Sequence, residues 1–360
     1  GQLVQFAESL SLMLILPLSP FMVRHFFPDI ATASVGVYVG ALTSVFYLGQ
    51  LVGSSVWGTL SDGLGLRQPM LLGLTGLLAS LVAFALSPTF AWAVAARFAM
   101  GLLNGNTGLC KAYMAGTTTT ATVALAMGLL ELQWSLGSML GPALGGLLAN
   151  PLGKYPWLQS LPLAAWLGPF PFLLSLGVPI AVVAGALVTS ALFLREPKPP
   201  SPAAPPPKAA VPEGQPLATA AAQDPVTEGD GELALPTRDI LSSRAVVTSV
   251  TLYALAAAAS IGFQTMNPLF LTTSRADGGF GLGTSGLGLL LGLGAPPNLV
   301  WQPLVFPWLP RRFGFRRCCT TAFLVEGLVL FFVPFTSWLP DVDLLRQMAM
   351  VAALVLFNSA

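Results

Sequence analysis

The chain has 360 residues, of which 54% are hydrophobic and 9% charged, with a formal net charge of +1. A soluble globular protein carries about 25% charged residues, so a deficit this large points to lipid as the solvent. The near-neutral balance gives no reason to expect a nucleic-acid partner. Three cysteines (Cys110, Cys318, Cys319) cannot build a disulfide framework, and a single histidine, His25, excludes a His-rich metal site.

A helix needs about 20 apolar residues to cross a bilayer. Ten stretches qualify: 3–24, 35–56, 69–87, 90–112, 123–149, 172–194, 245–271, 283–306, 318–338 and 345–360. They are too long for barrel strands, and lipid admits only helices or closed barrels. The expected fold is therefore an all-α membrane bundle. No cleavable signal peptide is visible. The chain opens and closes inside apolar runs and reads as a fragment lacking both natural ends.

In the first run Gln5, Glu8 and Ser19 share a face, with Ser11 nearby. Glu8 is the only acid of that helix. A carboxyl set in a cavity can take up and release protons, as a proton-coupled carrier requires. Alternatively it lies near a cytosolic mouth and stays solvated.

Between the second and third runs, 57–69 reads as a short polar turn with the spacing Gly58-x-x-x-Asp62-x-x-Gly65-x-Arg67. Asp62 and Arg67 are the only charges between Asp29 and Arg97.

The fourth run carries Arg97, Gly101, Asn104, Gly108 and Lys111 at offsets 0, 4, 7, 11 and 14, one stripe along a continuous helix. An Arg facing lipid would be costly, so the stripe should face the bundle interior. Lys111 either joins that face or snorkels at the cytosolic end.

In the fifth run Gly137, Gly141 and Gly145 recur every four residues, which lets helices approach closely. Pro142 removes a backbone hydrogen bond, and Gly146 follows. Glu131, Ser135 and Ser138 lie roughly a quarter turn away, and Glu131 is a second candidate proton site.

Residues 195–244 hold eleven of the 31 prolines and few large apolar side chains, and read as a disordered linker. The domains are then 1–194, a six-helix half; 195–244, the linker; and 245–360, a partial second half. In the seventh run Tyr253, Ser260, Gln264 and Asn267 form one stripe, either cavity-lining or bonded between helices, and Pro268 should kink the helix. Glu326 stands alone in the ninth run. The tryptophans, Trp57 included, fall mostly near run ends, as interfacial anchors do.

With the N-terminus cytosolic, eleven Lys and Arg fall on the cytosolic side. Only Arg24, Lys154, Arg275 and Arg346 fall on the other. The linker is then cytosolic too. A shift of 249 residues places Gly65 on Gly314 and Arg67 on Arg316, a weak internal repeat at the same joint of each half. Two six-helix halves related by a parallel repeat form a transporter architecture.

No nucleotide loop, metal-ligand cluster or Ser/His/Asp set is present, so neither enzyme activity nor a cofactor is expected and the drive should be an ion gradient. The expected partners are the bilayer, a small solute and protons, with the chain acting as a monomer.

Over nearly its whole length the chain resembles the major facilitator superfamily. Gly58, Asp62, Gly65 and Arg67 match its cytosolic gating motif, with Leu66 where a second basic residue is common. Arg97 and Gly101 match the helix-four motif of proton-coupled drug antiporters, with Met100 in place of Gln. Gly137, Gly141, Pro142, Gly145 and Gly146 match the helix-five antiporter motif in full. More narrowly, 21–24, 97–113, 141–151 and 154–156 look like the zinc-induced-facilitator-like group. The resemblance implies a proton-coupled carrier of the vacuolar or plasma membrane, with an organic solute or metal chelate as cargo. Arg97 would pair with Glu8 or Glu131, and Asn104, Tyr253, Gln264 and Asn267 would line the substrate cavity. It also implies that Asp62 contacts the end of an eleventh helix. The alternatives are a drug or toxin proton antiporter and, in another class, a transporter-like sensor or scaffold that moves nothing.

Overall fold

A computed structural model describes residues 1–119, 122–162, 164–196, 244–293, 308–333 and 335. Among these, all regular structure is helical. The longer elements are α1 (Gln2–Phe26), α2 (Thr32–Leu64), α3 (Arg67–Ala85), α4 (Phe90–Leu102), α5 (Asn106–Thr117) and α6 (Val123–Leu148). Short helices α7 (Pro151–Lys154) and α8 (Ala164–Leu167) lead to α9 (Leu173–Phe193). From residue 244 onward come α10 (Arg244–Thr272), α11 (Thr284–Leu293), α12 (Trp308–Phe313) and α13 (Phe315–Phe332). Five described helices are long and apolar enough to cross a membrane: α1, α2, α3, α9 and the Val246–Thr272 part of α10. The segments 294–307 and 336–360, where much of the eighth run and the whole tenth were expected, lie outside the described residues, as does most of the linker.

By contacts the chain divides into two units. One joins Gly1–Pro197 with Ser260–Ala360, and the other is Lys198–Ala259. In the second unit the described part is the start of α10, where Tyr253 is exposed. In the first, α1 is the central post, packed by α6, α9, α2, α5 and α11. Val4, Ala7, Leu14, Ile15 and Leu18 are buried along it. Ser11 and Ser19 donate back to the carbonyls of Ala7 and Ile15, so their hydroxyls reach no neighbour. The outer helices expose large apolar side chains such as Leu51, Leu72, Leu192 and Phe193, as a lipid-facing surface requires.

Two sequence expectations are corrected. The charged turn is shorter than 57–69, because α2 runs on to Leu64 and holds Gly58, Ser61 and Asp62. Thr59 and Ser61 donate to carbonyls three or four residues back, which satisfies their hydroxyls without leaving the helix. The turn proper is Gly65–Leu66, and Gly65 has φ +77°, a value that excludes most side chains. Its counterpart Gly314 has φ +83° and likewise precedes a helix, so the repeat inferred from sequence recurs in the backbone.

The fourth run is not one helix. It breaks at 103–105 between α4 and α5. Trp57 is buried rather than interfacial, and its indole N–H donates to Leu102 O at 3.0 Å. In a continuous helix that carbonyl would accept from the amide of residue 106. Gly105 lies directly against the Trp57 ring, where a Cβ would not fit. A side chain from α2 thus takes over a bond of the α4–α5 ladder. Trp57→Phe should remove the donor while keeping most of the packing, and lower unfolding stability by about 1–2 kcal/mol. Thermal unfolding in detergent would measure it.

A buried polar cluster as the candidate functional site

Glu8 is fully buried in the middle of the bundle. Across from it, the Thr107 hydroxyl at the start of α5 donates to Glu8 Oε2 at 2.7 Å. Asn104, in the helix break, lies beside the same carboxyl. Glu8 Oε1, both side-chain polar atoms of Asn104, and Gln5 Oε1 are buried without a hydrogen-bond partner. Buried polar atoms are nearly always satisfied, so four at one place mark a site built for something besides the fold.

The break at 103–105 opens onto a cleft of about 430 Å³ between α2 and the α4–α5 segment. Gln50, Ser54, Trp57 and Ser61 form one wall; Asn104 and Thr107 form the other. Non-helical backbone at membrane depth is tolerated where it is buried in protein or lines a water-filled cavity. Asn104 in the break is itself buried, which meets the first condition, and the cleft beside it is mostly apolar with a few polar side chains.

Arg97 sits elsewhere. It is buried, its guanidinium stacks 4.7 Å from the Phe46 ring and 5.9 Å from the Phe84 ring, and its Nε donates to Leu42 O at 3.4 Å. A further contact goes to Met100 Sδ. Neither Glu8 nor Glu131 is among its partners, so the expected Arg97–carboxylate pair does not form. The aromatic faces of α2 and α3 supply the compensating electron density instead. Glu131 pairs with Lys111 at 3.1 Å, both half-exposed. The three residues proposed for proton coupling therefore occupy three separate environments.

The glycines of α6 work on two faces. Gly137, Gly141 and Gly145 let α1 approach at Ser9, Leu10, Met13 and Leu14, where a Cβ would meet backbone or a short side chain. Gly146 faces α11 instead, against Gly288. Just beyond, Lys154 donates to Gly146 O at 2.6 Å and caps the end of α6. Partial burial lowers the Lys154 pKa, so its ammonium opposes folding at neutral pH and that opposition fades as pH rises toward the ordinary lysine value.

The Gly58–Arg67 motif has a partner the sequence did not suggest. The Glu196 carboxylate accepts from the amides of Leu66 at 2.6 Å and Arg67 at 3.0 Å, and Arg67 Nη2 donates to Ala191 O. Asp62 and Gly58 are exposed. Tyr113 donates to Arg195 O, so the end of α9 is tied to both α3 and α5. Glu196 was legible only as an acid at the start of a proline-rich segment. Thr107 had a clearer signal, three residues after Asn104 on the same helical face.

In the second part, Asn267 is buried with Oδ1 unpartnered, and Gln264 is half-buried. Ser260 donates to Glu326 at 3.2 Å, giving that acid the partner the sequence could not name.

Residues 3–359 match the Major Facilitator Superfamily. The chain is 26% identical to a major facilitator superfamily multidrug transporter of Aspergillus fumigatus, across 98% of this chain and 68% of that protein. It is also 26% identical to the zinc induced facilitator-like 1 protein of Arabidopsis thaliana, across 83% of this chain and 60% of the relative. Among solved structures it resembles an inward-facing, unoccupied bacterial homologue of the human lysosomal transporter Spinster. There the TM-score is 0.63 at 15% identity, covering 99% of this chain and 71% of the other, a likeness of fold.

Proposed function

Since the chain belongs to the major facilitator superfamily, we propose that it is a proton-coupled secondary active transporter moving a small organic solute or metal chelate by alternating access. The observation that carries the reading is Glu8, a fully buried carboxyl in a membrane-spanning helix with one oxygen unpartnered. A fixed buried charge is expensive, whereas a carboxyl that alternates between protonated and ionised states gives the burial a use. Asn104 beside it and Gln5 one turn before it on α1, together with Gln264 and the buried Asn267 of α10, would supply amide groups suited to a polar solute. Two helical halves joined by the cytosolic 195–244 linker would rock about this centre. Gly58, Asp62, Gly65 and Arg67 would form the gate at the cytosolic joint, and the chain would act as a monomer without a cofactor in a vacuolar or plasma membrane.

The second reading is a drug or toxin antiporter. It is favoured by the complete Gly-Pro-Gly-Gly pattern on α6 and by relatives named as a multidrug transporter and an efflux pump. One experiment addresses both. The intact protein is reconstituted in vesicles with a trapped pH indicator, and chelators, organic anions and lipophilic cations are added in turn. A solute that evokes proton movement supports coupling, and the direction of that movement separates symport from antiport. Solute movement with no proton movement at any imposed gradient would sink the proposal.

A further inference from the structure

Glu8 has no exposed surface of its own, so a proton must reach it through another group. The group in contact with it on the cleft side is Thr107. Its hydroxyl donates to Glu8 Oε2 at 2.7 Å, and Thr107 also lines the cleft between α2 and α5. Asn104, 4% exposed and with both polar atoms unpartnered, lines the same wall at the helix break. Opposite, Gln50, Ser54 and Ser61 recur at offsets 0, 4 and 11, one polar stripe along α2. The hydroxyl hydrogens of Ser54 and Ser61 go to Leu51 O and Gly58 O, so the stripe offers the Gln50 amide and the serine lone pairs in a mostly apolar cleft that also reaches Thr107.

We propose that this α2–α5 cleft is the proton entry route and that Thr107 is the relay through which Glu8 is loaded and unloaded. The inference rests on the assignment of Glu8 as the proton carrier. In the loading step a hydronium in the cleft gives a proton to a lone pair of Thr107 Oγ1. The proton already on Oγ1 passes to Glu8 Oε2. One O–H bond breaks at Oγ1 and one forms there, while the carboxylate becomes a carboxylic acid and the hydronium becomes water. Unloading is the reverse, and no other co-reactant is needed. Thr107 is a positioning and relay residue; the carboxyl remains the carrier.

The groups facing Glu8 leave the relay with little competition. From α5 comes the Cys110 thiol, which is buried and donates to Gly1 O at 3.7 Å. The charges on the neighbouring helices are engaged elsewhere: Glu131 of α6 pairs with Lys111, and Arg97 of α4 stacks on Phe46 and Phe84. The elements α9, α2 and α11 present no ionisable side chain to it among the described residues.

The test uses the intact protein in proteoliposomes, read as proton-driven uptake and, separately, as solute counterflow without a proton gradient. Thr107→Val keeps the shape and removes the hydroxyl; it should slow proton-driven uptake at least tenfold and leave counterflow within about twofold. Thr107→Ser should restore the driven rate and its pH profile. If Thr107→Val impairs counterflow too, Ser54→Leu decides, since it narrows the cleft without touching Glu8. A driven rate lowered by Ser54→Leu with counterflow kept supports the route, and an unchanged driven rate overturns it. Thr107→Val coupled like the wild type, with Glu8→Gln uncoupled, overturns this inference alone. Glu8→Gln coupled like the wild type overturns the assignment of Glu8 itself.

Discussion

Gly288→Leu is expected to reduce transport by about 30-fold while the protein still folds and inserts. The Cβ of any residue at 288 would sit 2.6 Å from Pro142 O and 2.9 Å from Gly146 Cα. Both are backbone atoms, so no rotamer change relieves the contact. The α6–α11 approach would have to widen along its length, since Gly292 also packs on Ala143. Overpacking of this kind costs about 1–3 kcal/mol. In the alternating-access cycle proposed above, the cost would fall only on a state in which α6 and α11 touch. About 2 kcal/mol against one state of an alternating pair changes its population about 30-fold. Initial uptake rates in vesicles would measure it, with Gly288→Ala intermediate. A Gly288→Leu protein transporting at the wild-type rate would mean that this contact is not part of the cycle.

Gly101→Val should act on folding instead. A Cβ at 101 runs into the carbonyl of Phe46 and lies 3.0 Å from the amide of Gln50. Gly49 and Gly53 make matching approaches to Phe98 O and to Leu102. The three glycines interleave, so α2 and α4 touch backbone to backbone, the arrangement small residues permit within membranes. Separating them would also lift the Phe46 ring from the Arg97 guanidinium and leave that buried charge poorly compensated. The expected loss is about 3 kcal/mol or more, seen as a lower unfolding temperature in detergent and a lower yield of monodisperse protein. Unchanged stability would contradict the close packing described for this pair.

Much of this architecture can be read from sequence. Apolar runs bounded by charges give the helices, because lipid leaves the backbone no other choice. The four-residue spacing of glycines on α6 announces a close helix contact, and Gly65 and Gly314 announce the same joint in each half. Tertiary substitution of backbone bonds is what the sequence hides. Residues 90–112 read as one helix because nothing local says that Trp57, some 45 positions earlier, will capture the Leu102 carbonyl. The partners of charges are hidden for the same reason. Read from sequence, Arg97 calls for a carboxylate, yet Phe46 and Phe84 from two other helices lie against its guanidinium. Glu8 looked like half of an ion pair, yet it meets the hydroxyl of Thr107. Spacing finds residues that share a face; it does not find which face of another helix they meet.

Glu8→Gln, assayed both ways on the same vesicles, tests the central claim most directly. Gln keeps the size of the side chain and can still meet the Thr107 hydroxyl, but it cannot take up and release a proton. Solute counterflow at equal pH on both sides should persist within about twofold, and uptake driven by an imposed pH gradient should fall to the level of protein-free vesicles. Gradient-driven uptake by Glu8→Gln at the wild-type rate and with the wild-type pH profile would contradict the claim that this buried carboxyl carries the coupled proton.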